Sequence, residues 1–243
     1  MLDQTAHRPW PLPDGAWFMT QTWSDLLFAH WPIDVAVLRP MVPAAFELDV
    51  FEDRAWISVV PFRMSNVAPR FVPAMPGLSA FPELNVRTYV RAEDKPGVFF
   101  FSLDAASLLA VGGARTLFNL PYFRAEMSIS TRGSDVAYQS RRLSAPHAEF
   151  IATYRGHGDT RVAARGTLEH FLTERYCLYG VNHRAIPYRL EIHHLPWPLE
   201  SASADISRNT MADAAGIRLP EAAPLLHFAR RLDVIAWPPQ TLT

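Results

Sequence analysis

From Phe81 to Val90 the chain reads FPELNVRTYV, which puts Glu83, Asn85, Arg87 and Tyr89 on one face of a two-residue repeat and Leu84, Val86, Thr88 and Val90 on the other. That period predicts a strand. A turn is expected at Asp94-Lys95-Pro96-Gly97, followed by the apolar run VFFFSLDA, which predicts a partner strand over residues 98–103 buried on both faces. A polar row beside such a strand is either the wet side of a sheet or the wall of a pocket.

Similar patterns recur along the chain. LDVF and AWISVVPF predict a hairpin turning at Glu52, Asp53 and Arg54, and AEMSIST and VAYQSRRL predict another across Arg132-Gly133-Ser134, with AEFIATY extending that sheet. Residues 188–194 and 225–237 are further strand candidates. Helical signals are few: a short piece at 44–46, a stretch from Asp104 as N-cap through DAASLLAVGGARTLF, and 205–215 with Gly216 just beyond. Residues 167–179 fit helix or strand equally. The opening segment through Trp10, Trp17 and Trp23 reads as an irregular arm leading into TWSDLLFAHWPI, where Pro32 would end any helix. Many hairpins with few, short helices predict a mainly β (α+β) fold, a barrel or strongly curved sheet, because closure removes exposed strand edges.

Composition narrows the function. With 243 residues, 49% hydrophobic and 19% charged, the expectation is one domain over 1–243 with an irregular arm over about 1–20. A net charge of -1 gives no reason to expect nucleic acid or an anionic membrane as partner. The chain shows no signal-peptide pattern and no 18-residue apolar run, so the expected location is cytoplasmic, without membrane association. Arg141-Arg142 and Arg230-Arg231 read as solvated strand positions. Cys177 is the sole cysteine and reads as a small buried apolar residue, which excludes an internal disulfide and a thiolate metal cluster. His193 and His194 would point to opposite faces of a strand, and no His-x-His or His-x-x-x-His spacing occurs, so no metal is expected. No Gly-x-x-x-x-Gly-Lys loop, Gly-x-Gly-x-x-Gly turn or Gly-x-Ser-x-Gly elbow is present, and no cofactor is expected.

FPELNVRTYV, FFFSLDA, ARTLFNLPYF, ERYCLY and HHLPWPL, in that order between Trp17 and Trp197, resemble the YqjF-like proteins, domain of unknown function 2071. That group is placed in the acetoacetate decarboxylase-like superfamily. The resemblance implies a closed or nearly closed, cone-shaped antiparallel β-barrel around an apolar cavity. In the decarboxylases the pattern Arg-Glu-x-x-Gly-Phe-Pro-Lys-Lys carries the Schiff-base lysine. Here the same spacing runs from Arg115 to Phe123 and puts Tyr122 in the nucleophile's place. A phenol cannot form an iminium with a ketone. The chain's only lysine, Lys95, is expected in a hydrated turn, protonated and unreactive. Schiff-base decarboxylation is therefore not expected.

If the resemblance extends to the cavity strand, Glu83, Asn85, Arg87 and Tyr89 face the interior, with Arg87 and Glu83 as an internal ion pair. The functional reading is a wall that holds a carboxylate or carbonyl through Arg87 and moves a proton through Glu83 or Tyr89, with Tyr122 joining Glu83 and Arg87 in acid–base work and Asn85, Tyr89, Arg115 and His30 as ligand contacts. The bland reading is a buried structural ion pair or an outer face with ordinary cross-strand pairing. Arg175, Tyr176, His194 and Trp197 belong to the family motifs without an assigned role. Three functions follow: non-covalent acid–base work on a small organic acid or carbonyl compound, binding of a small apolar ligand, or a structural, partner-docking domain. Exposed edges on an incomplete cone and seven tryptophans make self-association an expectation.

Overall fold

The structure, a computed structural model, describes residues 1–74, 79–107 and 119–242. One sheet of thirteen strands runs through it. In chain order these are β1 (Met19–Ile33), β2 (Glu47–Leu48), β3 (Ala55–Pro69), β4 (Phe81–Ala92), β5 (Lys95–Ala105), β6 (Tyr122–Arg132), β7 (Asp135–Arg142), β8 (Glu149–Arg161), β9 (Cys177–Val181), β10 (Pro187–His193), β11 (Leu199–Asn209), β12 (Leu225–Ala236) and β13 (Gln240–Thr241). Among the described residues the α-helices are two short turns, α1 (Val35–Leu38) and α2 (Leu168–Thr173).

The sheet closes on itself twice. β10 pairs with both β9 and β12, and β5 pairs with β4, β6 and β9, so β1, β3, β4, β5, β9, β10 and β12 form one ring, while β6, β7, β8 and β11 bridge β5 to β12 on the other side. The expected near-closed, mainly antiparallel barrel is present as this imperfect ring. Among the described residues its only parallel pairings are the short contacts of β5 with β6 and with β9.

The shared strands are buried on both faces, which positions the site. Leu27 and Ala29 on β1, Ile57 and Val59 on β3, and Leu84 and Val86 on β4 pack into one apolar cluster with Tyr138, Phe150 and Tyr154 from the outer lobe. Fully burying side chains of that size contributes roughly 1.5–3 kcal/mol each. The opposite faces of the same strands look into the seven-strand ring.

Several expectations change. The stretch around Pro32 is no helix: Met19–Ile33 is one long strand that takes Trp23 out of the arm. Pro32 is tolerated because pairing with β12 ends at His30, leaving β3 as its only strand neighbour among the described residues. The β4–β5 turn sits at Glu93 and Asp94, both with positive φ (49° and 59°), so Lys95, Pro96 and Gly97 are already strand. Glu52 and Asp53 turn the same way at the earlier hairpin, the mirror-type turn that matches strand twist. Residues 44–46 form a turn rather than a helix. Residues 167–179 divide into α2 and then β9. Residues 205–209 lie in β11, and only Asp213–Ala215 is helical, a 3-10 turn closed by left-handed Gly216. Asp104 is strand, not an N-cap. It receives both Nε (2.8 Å) and Nη2 (2.6 Å) of Arg142, a residue expected in solvent and found buried. Ala105 is still β5 and residues 106–107 are not helical; the rest of the expected helix, 108–118, falls outside the described residues.

Glu191 on β10 ties the first ten residues to the ring. Its Oε2 accepts Trp10 Nε1 (2.7 Å) and Arg8 Nη2 (3.4 Å), while Oε1 accepts Lys95 Nζ (2.8 Å) and Arg189 Nε (3.1 Å). Lys95 is thus ion-paired rather than freely hydrated.

Candidate functional site

A cavity of about 140 Å³ lies inside the seven-strand ring. Glu83, Asn85 and Arg87 project into it from β4, Tyr122 from the start of β6, and Arg175, His194 and Trp197 from the segments flanking β9 and β10; Leu26, Val60, Phe62, Phe100, Leu103 and Ile192 are among its apolar lining. Strand alternation produces the polar row. With Leu84 and Val86 committed to the apolar cluster, every second residue of β4 must face inward.

The two ends of the row differ. Glu83 is 3% exposed, with Tyr122 Oη donating to its Oε2 at 3.0 Å, and Tyr138 Oη fixes its backbone carbonyl at 2.7 Å. Burial pushes the Glu83 carboxyl up to about 8, the Tyr122 hydrogen bond opposes this, and the nearby Asp104 charge adds to it. At neutral pH Glu83 is therefore predominantly a neutral acid able to donate a proton. The Tyr122 phenol is raised well above its ordinary range by burial and by Glu83, so it stays protonated.

Arg87 marks the other end. Its Nη2 donates to Leu172 O at 3.3 Å, and its guanidinium lies 5.2 Å from the Phe28 ring centre and 5.7 Å from that of Tyr89. Leu172 O is one of the last carbonyls of α2, which has no partner within its own helix; Arg87 and the Tyr89 hydroxyl (2.9 Å) satisfy it. Arg175 sits 5.0 Å from the same Tyr89 ring but is neutralised by Asp49, with Nη1 to Oδ2 at 2.5 Å. Among the described residues no carboxylate pairs with Arg87. The expected Arg87–Glu83 pair does not form, because four residues of strand separate their Cα atoms by roughly 13 Å.

Three buried polar atoms of the lining lack a hydrogen-bond partner: Asn85 Oδ1, Arg87 Nε and Trp197 Nε1. Such atoms are rare in folded proteins and ask for a partner. His194 also lines the cavity; burial presses its imidazole down to about 4, so it is neutral.

Two expected site residues lie elsewhere. Tyr89 and His30 do not line the cavity; they belong to a buried network in which Ser58 Oγ lies 2.8 Å from Tyr89 Oη and 2.6 Å from His30 Nδ1. Tyr89 continues the polar face of β4, but by that point α2 covers it. Arg115 falls outside the described residues. Arg175, His194 and Trp197 reach the cavity through the ERY and HHLPW motifs, which had signalled family membership without a role. Asp49, the partner of Arg175, left no sequence signal.

The ring, its internal cavity and the surrounding strand order define an acetoacetate decarboxylase-like fold. The chain belongs to the DUF2071 family of uncharacterized conserved proteins, whose model matches residues 20–233. It is 51% identical to the uncharacterized protein YqjF of Bacillus subtilis (strain 168) over 238 residues, 98% of each chain. Among solved structures it is similar to the acetoacetate decarboxylase of Legionella pneumophila, with a TM-score of 0.63 at 14% identity over 99% of this chain and 94% of that one. It is similar also to an acetoacetate decarboxylase-like enzyme of Sphingomonas wittichii RW1, with a TM-score of 0.63 at 12% identity, covering 97% of both chains. The enduracididine biosynthesis enzyme MppR, solved in complex with pyruvate, matches with a TM-score of 0.61 at 10% identity over 99% of this chain and 95% of that one.

Proposed function

We propose that this protein binds a small organic monocarboxylate non-covalently in the ring cavity. Arg87 holds the carboxylate, and Glu83 with Tyr122 meets a neutral oxygen, a carbonyl or hydroxyl, at the other end. One observation carries this reading: a guanidinium only 8% exposed, with no acidic partner among the described residues and its Nε unpartnered, borders the cavity. An uncompensated buried cation costs several kcal/mol, and an anionic ligand would supply the missing partner through charge-assisted bonds. The volume agrees, since a cavity of roughly 150 Å³ holds a molecule the size of benzene. MppR, of related fold, was solved with pyruvate, a compound of this size and charge.

The arrangement favours holding the carboxylate over expelling it. A clamp on a carboxylate stabilises the ground state that a decarboxylase must leave behind, and Tyr122 offers no amine from which an electron-accepting iminium could form. The neutral Glu83 can polarise the ligand's carbonyl by donating a hydrogen bond to it, which is the whole of the acid–base chemistry assigned here.

The test is isothermal titration of the wild type and of Arg87→Met with pyruvate, acetoacetate and their uncharged methyl esters. The free acids should bind the wild type and lose at least tenfold in affinity in Arg87→Met, with the esters weak in both. Equal binding of acids and esters, or no binding of any of them, would overturn the reading.

A further inference from the structure

Among the described residues, the strand that begins with Tyr122 has no partner strand along one edge from Ala125 onward. β6 pairs with β7 in unbroken register from Ala125↔Arg142 to Arg132↔Asp135, but it meets β5 only through Tyr122, Phe123 and Arg124. From Ala125 onward no described strand lies on its other side. Backbone parity follows from two printed bonds. Leu143 N donates to Arg124 O and Leu103 N donates to Pro121 O, so even-numbered residues of β6 address β7 and odd-numbered ones address the β5 side. Ala125, Met127, Ile129 and Thr131 therefore present their N–H and C=O groups along the open edge.

This edge has few of the usual guards. It carries no proline and no bulge, and it is eight residues long, whereas protected edges are short, bent or interrupted. We propose that a second copy of the chain pairs antiparallel with β6 along this edge, Ile129 opposite the partner's Ile129, giving a two-fold symmetric dimer with a continuous sheet. Charge selects that register. It places Glu126 opposite the partner's Arg132, and by symmetry Arg132 opposite the partner's Glu126, in the closely spaced non-hydrogen-bonded positions of the new ladder. Slipping by two residues would instead set Arg124 against the partner's Arg132. The inward side chains of Met127 and Ile129, half-buried against the apolar cluster, would then gain cover from their counterparts.

Sedimentation and light scattering of the full chain test this. The wild type should have twice the 27.4 kDa chain mass. Glu126→Arg and Arg132→Glu should each raise the dimer dissociation constant, by about tenfold given opposed like charges at two places. The double variant should restore it, because the exchanged charges face each other again. Thr131→Pro removes an N–H aimed at the partner while leaving the β7 ladder intact, and should give a monomer with an unchanged circular dichroism spectrum. A monomeric wild type, a double variant no tighter than the singles, or a folded Thr131→Pro that stays dimeric would overturn the proposal.

Discussion

Replacing Glu83 with Gln should make the protein more stable at pH 8 and leave it nearly unchanged at pH 5. Unfolded, Glu83 ionises near 4.5; folded, burial holds it protonated to about 8. Below 4.5 both states carry the proton and no cost arises. As pH rises from 4.5 to about 8 the unfolded chain releases a proton that the folded one retains, so stability falls by about 1.4 kcal/mol per pH unit across that window and levels off above it. The full interval corresponds to at most about 5 kcal/mol. Gln keeps an oxygen for the Tyr122 hydroxyl and removes the titration. Buried histidines act in the opposite sense. His193 and His194 are held near 4, so they make the fold more stable as pH climbs from about 4 to their unfolded value near 6.5 and contribute nothing further above it. Urea unfolding of wild type and Glu83→Gln at half-unit steps from pH 5 to 8.5 isolates the carboxyl, because the histidine contribution cancels in the difference. That difference should grow to a few kcal/mol in favour of Gln. A flat difference, or one favouring the wild type at pH 8, would refute a buried neutral carboxyl at this position.

Arg142→Met should cost about 3–5 kcal/mol in urea unfolding because it strands Asp104, whose side chain is 0% exposed, whereas Asp104→Leu with Arg142→Met should recover most of that loss; a double variant as unstable as the single would contradict this. Gly156→Ala should destabilise by roughly 1–3 kcal/mol, since its Cβ would stand 2.3 Å from Phe228 Cδ1 and 2.5 Å from Glu200 Oε2; an unchanged melting temperature would show that this contact yields freely. Borohydride added with acetoacetate should leave the intact mass unchanged. A reduced adduct on Lys95 would show that its ion pair with Glu191 leaves the amine free to react.

What the sequence disclosed depended on where alternation survives. β4 reads cleanly because its inward face is polar and its outward face apolar, and the hairpin of β6 and β7 announced itself through one wet face and a Gly-containing turn. β1 did not read as a strand: Leu26 to Ala29 are all buried, two on each side, so no period remains. The motif that carried the resemblance brought Tyr122 to Glu83 across 39 residues, a meeting that strand periodicity alone could not supply. Asp104 and Arg142 show the converse. Each has an ordinary local meaning, helix cap and solvated strand charge, and only the closure of β5 onto the lobe of β6 and β7 makes them partners. Arg87 was legible as inward-facing, and its four-residue spacing along β4 already rules out Glu83 as a partner; that no other described carboxylate reaches it was not legible, since that rests on α2 ending beneath it.

The gathering of Arg8, Trp10, Lys95 and Arg189 on the single carboxylate of Glu191 makes the segment through Trp10 a latch on β10. β10 also joins β9 to β12, so the latch fastens where the ring is sewn shut. A tag or fusion attached near residue 10 would thus burden that seam.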